Sequence, residues 1–502
     1  MPDALARQQA PDAAPGGAAS GRWAIFLVVA VVLAGVVPVM LVVQVSDTGR
    51  STAWSLTIAL AVWAGIRMAH RIALGIPALF DFVFWLFVYI FMGIAPTAQI
   101  RADQLSTTTP GMDPARDVRT ATVVWAGVIC YELGRWIARH TALLGRRASG
   151  RAVVERRLDV VPARAVVLTA VGVLAAAYYV SKIGVGTLFM SRYSSFAIRS
   201  ERLPDLATRS IISAAGSYPL LIASGVYLSV WRTKALGALS GRYLPLLVPS
   251  LALLLLVTNP VSSARYDFGT VAFALVVFVG AVATVRRARV TMALTIGAFL
   301  FVFPLADAFR SDTVQLQRNG FFGEYLANPD YDAFWQIGNA LSYVDEGLVQ
   351  PMRQLAGVVL FWVPRGIWPT KPVDTGILLA DYRGYTFGNL SAPLWAELLV
   401  NGGILLVIAG FVLLGVALGR LDRRTSHAFL NGGQLWAVVG GVFPFYMVIL
   451  LRGSLLQATG TLVVAIACTV FVRRSTRTHD EQPPSDEPQA RGAPTASRTD
   501  AR

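Results

Sequence analysis

The chain has 502 residues, 55% of them hydrophobic, with a mean hydropathy of +0.56 and a formal net charge of +15. So apolar a composition excludes a soluble domain of this size, and the basic residues flank apolar runs, which excludes a nucleic-acid footprint. The two cysteines, Cys130 and Cys468, both fall inside apolar runs, which argues against a disulfide or a metal site.

In chain order, the first 21 residues are rich in Ala, Pro and Gly and read as a disordered tail. The run that follows is too long for a cleaved signal peptide and reads as a retained anchor. About twelve runs have the length a bilayer demands. They cover 23–45, 51–69, 79–98, 120–138, 163–180, 211–230, 243–257, 269–285, 290–306, 394–418, 435–451 and 455–472. The run at 243–257 is short and carries Pro245 and Pro249, and 435–472 is split only by Arg452 and Gly453. Helices are the expectation, because backbone groups in lipid must be satisfied within their own segment. The fold class is therefore an all-α polytopic integral membrane protein with about 12 transmembrane helices. Nine precede and three follow one long late extracytoplasmic segment, 307–393. Residues 473–502 are rich in Pro, Ser and charge and read as a second disordered tail.

Orientation follows from the Lys and Arg of the short loops. Arg67 and Arg71, the block Arg146 to Arg157, Arg232 and Lys234, Arg286 to Arg289, Arg420 to Arg424, and Arg473 and Arg474 fall on every second loop. They set both termini in the cytoplasm of a bacterial inner membrane. The four histidines, His70, His140, His427 and His479, map to the same side, which leaves no extracytoplasmic His catalyst.

Arg265, Arg310, Arg365, Lys371 and Arg452 map to the other face. Cations there need an anionic partner, and a lipid-linked phosphate is the natural one. Arg donates two parallel hydrogen bonds to such a group through its planar fork. Arg265 lies in the tight hairpin Asn259-Pro260-Val261-Ser262-Ser263-Ala264-Arg265-Tyr266, Arg310 follows Asp307, and Arg452 sits in Arg452-Gly453-Ser454. Arg365 and Lys371 share a run stiffened by three prolines, Val363-Pro364-Arg365-Gly366-Ile367-Trp368-Pro369-Thr370-Lys371-Pro372. Arg192, Arg199, Arg202 and Arg209, with Glu201 and Asp205, read as a partly paired amphipathic segment, though Arg192 follows a Gly-rich turn and is placed to face a cavity that the helices would enclose. The bland alternative for each cation is a side chain anchoring a helix end at the interface.

The long segment holds Phe321, Phe322, Tyr331, Phe334, Trp335, Phe361, Trp362, Trp368, Tyr382 and Tyr385, an aromatic core of its own that suits an active-site cover. Its apolar stretch 355–363 is too short to span and lies flat or re-enters. Carboxylates that could act as general base are Asp307, Asp312, Glu324, Asp330, Asp332, Asp345, Glu346, Asp374, Asp381 and Glu397. Glu397, near the start of an apolar run, and Asp332, between aromatic residues, are preferred. Glu132 pairs structurally with Arg135. Helix centres otherwise look almost free of charge, which disfavours a transporter such as a lipid-linked oligosaccharide flippase.

These stretches, with Tyr331-Asp332-Ala333-Phe334, Asn389-Leu390-Ser391, Trp395-Ala396-Glu397-Leu398-Leu399-Val400-Asn401-Gly402-Gly403, Leu451-Arg452-Gly453-Ser454 and Ile183-Gly184-Val185-Gly186-Thr187-Leu188-Phe189-Met190-Ser191-Arg192, resemble the oligosaccharide repeat-unit polymerases, the O-antigen polymerase (Wzy-like) family. The resemblance covers roughly 183–456. It implies a glycosyltransferase that joins glycan repeat units carried on undecaprenyl diphosphate at the outer face of the inner membrane. Arg192, Arg265, Arg310, Arg365, Lys371 and Arg452 would bind the diphosphate, with no metal and no cofactor. The partners would be the polyprenyl-diphosphate-linked oligosaccharide, membrane lipids, a flippase and a chain-length regulator, with no nucleic acid. A related ligase, moving finished glycan to a lipid or protein, is the enzymatic alternative. It typically uses an extracytoplasmic His.

Overall fold

A computed structural model describes residues 15–148, 158–203, 206–302, 321–388 and 390–474. Helices make up the fold, and the only bridge between extended segments among the described residues joins Val160 to Arg473. In chain order they are α1 (Ser20–Gln44), α2 (Ala53–Leu74), α3 (Leu79–Ala102), α4 (Asp117–Ala148), α5 (Pro162–Ile183), α6 (Arg192–Arg202), α7 (Leu206–Thr233) and α8 (Leu244–Val257). They continue with α9 (Arg265–Phe278), α10 (Val285–Gly297), α11 (Ala333–Asp345), α12 (Arg353–Val359), α13 (Thr375–Arg383), α14 (Leu394–Asn431), α15 (Leu435–Arg452) and α16 (Leu455–Val472).

Among the described residues, nine helices are long and apolar enough to cross a membrane: α1, α2, α3, α5, α7, α8 together with the helical turn before it (Gly237–Val257), α14, α15 and α16. The chain is an α-helical membrane protein. Three expected spans differ from this set. The run 120–138 lies inside α4, a 32-residue helix that carries Glu132, Arg135 and Arg139. The run 269–285 forms the 14-residue α9, and 290–306 begins in the arginine-rich α10 and ends outside the described residues. Apolar side chains such as Val43, Leu174, Leu405, Leu413 and Val470 point outward, as lipid-facing side chains do.

Two main apolar cores organise the helices. One gathers α1 to α4, α11 and part of α14, and the other gathers α5, α7, α8 and α16. The pair α9 and α15 forms the wall between them. Phe273 and Val277 of α9 face the first core while Val271, Ala274 and Phe278 face the second, and α15 divides likewise through Phe445 and Met447 against Val442 and Tyr446. Arg265 begins α9 and Arg452 ends α15, so the packing of this pair brings two distant hairpins to one end of the wall.

Helices α4 and α14 approach each other closely. A Cβ on Gly134 would lie 2.1 Å from the Val412 carbonyl, and one on Gly415 2.2 Å from that of Tyr131. Small residues let these backbones touch. Farther up, α14 is broken: Gly403 adopts φ +63° and ψ −157°, a conformation open to glycine. The break isolates a short first segment of α14, 394–401.

The aromatic segment is not a separate cover over its first part. α11 is buried along nearly its whole length, and Phe334, Trp335 and Ile337 belong to the main core. The Trp335 indole donates to Gln99 Oε1 at 2.7 Å, and Gln99 Nε2 donates to the Tyr325 carbonyl at 2.9 Å. These bonds place Asp330 and Asp332 beside the first turn of α9 and the last turn of α15.

Candidate functional site

The hairpin before α9 is rigid for a local reason. Asn259 Oδ1 accepts from the amides of Val261 at 3.0 Å and Ser262 at 2.9 Å, an Asx turn, while its Nδ2 donates to the Leu188 carbonyl at 3.0 Å. That last bond ties the hairpin to the Gly-rich turn before α6. Arg199 of α6 then donates to Ser262 Oγ at 3.1 Å.

Arg265 and Arg452 converge on one carboxylate. Arg265 Nη2 lies 3.0 Å from Asp330 Oδ2, and Arg452 Nη2 lies 3.4 Å from Asp330 Oδ1 and 3.3 Å from Asp332 Oδ1. Arg452 Nε also donates to the Asp330 backbone carbonyl at 2.9 Å. Asp332, 2% exposed, accepts from the Ser391 amide at 3.0 Å, and the Ala392 amide donates to the Arg452 carbonyl at 3.0 Å. Burial pushes the Asp332 carboxyl up from its ordinary value, and Arg452 opposes that shift. Three of the expected site residues, Arg265, Arg452 and Asp332, thus meet, and Asp330 joins them.

A second group borders this cluster. Tyr266 and Asp267 are half-buried in the first turn of α9. Burial pushes the Asp267 carboxyl up to about 6, against the opposing pull of Arg192 and Arg199. Tyr266 lies within electrostatic reach of Arg452, Arg192, Asp267 and Asp330. Arg192 therefore lies within electrostatic reach of the same end of α9. Sequence reasoning missed Asp267 and set Arg199 aside. The signal was present, since Arg265-Tyr266-Asp267 places a carboxylate two residues from a candidate cation.

Glu397 is fully engaged. Its Oε2 accepts from Thr375 Oγ1 at 2.7 Å and its Oε1 accepts from the Leu455 amide at 2.8 Å. The carboxylate caps the N-terminus of α16 and anchors the start of α13 to the hairpin of Arg452. Arg365 and Lys371 brace their own loop. Arg365, exposed, donates to the carbonyls of Lys371 at 2.8 Å and Pro372 at 3.3 Å; Lys371 Nζ donates to those of Phe361 at 2.6 Å and Val363 at 2.9 Å. Between these bonds the loop exposes Trp362 and Ile367. Arg310, with Asp307 and Asp312, lies outside the described residues.

The helices also hold a buried charge cluster that the sequence reading did not foresee. The Arg71 guanidinium binds Asp81, Tyr131 Oη donates to Asp81 Oδ1 at 2.9 Å, and Arg135 Nη1 donates to Asp422 Oδ2 at 2.5 Å. Asp422 Oδ1 accepts from the Phe80 amide at 2.9 Å and so caps α3. Every charge has a partner, which suits a clamp on α2, α3, α4 and α14. Glu132 pairs with Arg67 at 2.8 Å rather than with Arg135.

In comparisons with known proteins, no family model matches the chain, and no curated protein and no solved structure is detectably similar.

Proposed function

We propose that the chain polymerises oligosaccharide repeat units carried on a polyprenyl diphosphate, at the extracytoplasmic face of the membrane. The observation that carries this reading is the gathering of Arg192, Arg199, Arg265 and Arg452 around Tyr266, Asp267 and Asp330, at the end of α9 opposite Arg286, Arg287 and Arg289. The sequence resemblance points the same way.

In the proposed reaction a hydroxyl of the incoming unit attacks the anomeric carbon of the growing chain. A carbon–oxygen bond forms there, the bond from that carbon to the diphosphate oxygen breaks, and the lipid diphosphate leaves with the electron pair. Arg265 and Arg452 are held in place by Asp330 and Asp332, and Arg192 and Arg199 add positive charge that these carboxylates do not cancel. Fixed guanidinium groups stabilise charge that develops on the leaving oxygen. Asp267, half-buried and outside the Asp330 ion pairs, takes the acceptor proton. Glu397 and Asp332, with their oxygens occupied, hold the frame. Arg365 and Lys371 brace their own loop.

The sidedness this requires has a direct test. With Cys130 and Cys468 replaced by serine, a cysteine at the exposed Thr370 should react with an impermeant thiol reagent added to intact cells. One at the exposed His427 should react only after lysis. The opposite pattern would put the arginine cluster in the cytoplasm and end the proposal.

A further inference from the structure

The segment 347–373, which holds α12 and the proline-rich loop, contains Arg353, Arg365 and Lys371 and no Asp or Glu. Along one stretch of it Val359, Trp362 and Ile367 are 72%, 68% and 78% exposed. Large apolar side chains grouped at a surface mark a contact with something apolar.

The loop's backbone is satisfied from within. The Val363 amide donates to the Leu360 carbonyl, those of Ile367 and Trp368 to the Pro364 carbonyl, and that of Lys371 to the Trp368 carbonyl, each at 3.0 Å. Pro364, Pro369 and Pro372 have no amide to satisfy. The side chains of Lys371 and Arg365 then supply donors to the carbonyls of Phe361, Val363, Lys371 and Pro372. In water a loop gains little from such bonds, because water serves the same carbonyls. Where water is scarce they become a requirement.

The loop is also held at the level where lipid begins. Asn401 anchors α12: its Oδ1 accepts from the Leu355 amide at 3.0 Å, and its carbonyl accepts from the Met352 amide at 2.9 Å. α12 packs on α14 and α16, both long and apolar enough to span. About 20 residues cross the hydrocarbon layer. Counted back along α14 from the exposed Arg420, that length ends at Asn401. Ile404, Leu405 and Ile408, exposed just past it, begin the lipid-facing side of α14. The apolar side chains of the loop thus extend a surface that already faces lipid.

We propose that this loop inserts into the membrane leaflet, with Val359, Trp362 and Ile367 among the upper acyl chains and the positive charge of the segment at the lipid phosphates. A Trp suits that boundary, being apolar in its body and polar at its N–H. Thr370, whose carbonyl accepts from the exposed Arg353 at 3.1 Å, stays on the water side. Lys371 and Arg365 therefore do for the loop's carbonyls what water does elsewhere. The inference goes beyond the glycan reading and needs only the membrane.

The test uses full-length protein with Cys130 and Cys468 replaced by serine and a polarity-sensitive fluorophore on a single new cysteine: Val359→Cys, Ile367→Cys or Ala115→Cys. Ala115 is exposed in a turn between Asp113 and Asp117 and is the water-side reference. Each protein is reconstituted in vesicles of phosphatidylcholine and phosphatidylglycerol. Phosphatidylcholine spin-labelled near the top of its acyl chain should quench the fluorophore at Val359→Cys and Ile367→Cys and spare that at Ala115→Cys. Iodide in the buffer should give the reverse order. Adding Trp362→Asp should cut the lipid quenching at Ile367→Cys by about twofold or more, because a carboxylate is costly in the leaflet. If one cysteine variant fails to fold, the other carries the test. Iodide quenching in the loop equal to that at Ala115→Cys would overturn the proposal. So would protection from both quenchers, which would put a second copy of the chain over the loop instead of lipid. The readout needs no substrate: an inserted loop in a protein that makes no polymer would end the glycan reading alone, and a polymerising protein with a water-exposed loop would end this one alone.

Discussion

Asp267→Asn should lower glycan transfer by about 10²–10⁴-fold, the usual worth of a positioned base. The amide keeps the size of the carboxylate and loses its basicity. The wild-type profile carries the second half of this expectation. Burial raises the Asp267 carboxyl to about 6, so the base is protonated and idle below that pH and ionised above it. The rate at low substrate should therefore climb with pH through about 6 and then level. In Asp267→Asn the climb should vanish. Asp332→Asn and Glu397→Gln act on the frame, so each should cost stability while the climb stays in place. A climb that survives in Asp267→Asn and vanishes in Glu397→Gln would return the base to Glu397.

Arg452→Ala and Arg192→Ala should both lower the rate but differ in their cost to the fold. Removing Arg452 strands the buried Asp332 carboxylate without its cation, and breaking such a pair costs about 3–5 kcal/mol. The sign of the pH response follows. With its folded value already raised, an unpaired Asp332 favours the protonated form, so the deficit should shrink as the solution is acidified and grow as pH rises. Arg192 is only half-buried at the start of α6, so its removal should move the thermal midpoint little. It should still reduce turnover by about 10²–10³-fold, as loss of one group that stabilises developing negative charge does. Thermal melts and rates on both variants decide the matter. Normal turnover in Arg192→Ala would remove that side chain from the site.

The charged hairpins were legible in the sequence because topology does much of the work. Arg265 and Arg452 both sit where apolar runs turn on the same side, and α9 packed on α15 brings the two turns together. Asp332 was legible for a similar reason, as a lone carboxylate among aromatic residues that seek the core. Partners far apart in sequence were not. Nothing local says that Asp330 is the carboxylate both arginines share, or that Asp422 caps α3. The roles of Arg365 and Lys371 were hidden too, because their acceptors are backbone carbonyls, which every residue carries. Glu397 was ambiguous by type: a carboxylate at the entry of an apolar helix signals either a base or a cap, and its bond from the amide of Leu455 lies too far along the chain to be read locally. The break at Gly402 and Gly403 stands in the sequence as a Gly pair, yet apolar residues on both sides make the run look continuous.

Product length from a single substrate tests the central claim most directly. The purified full-length protein, given one polyprenyl-diphosphate-linked repeat unit and nothing else, should release polyprenyl diphosphate and build a ladder of glycans spaced by one unit. A protein that leaves the unit unchanged until a distinct lipid or protein acceptor is added, and then transfers it once, would contradict the polymerase account.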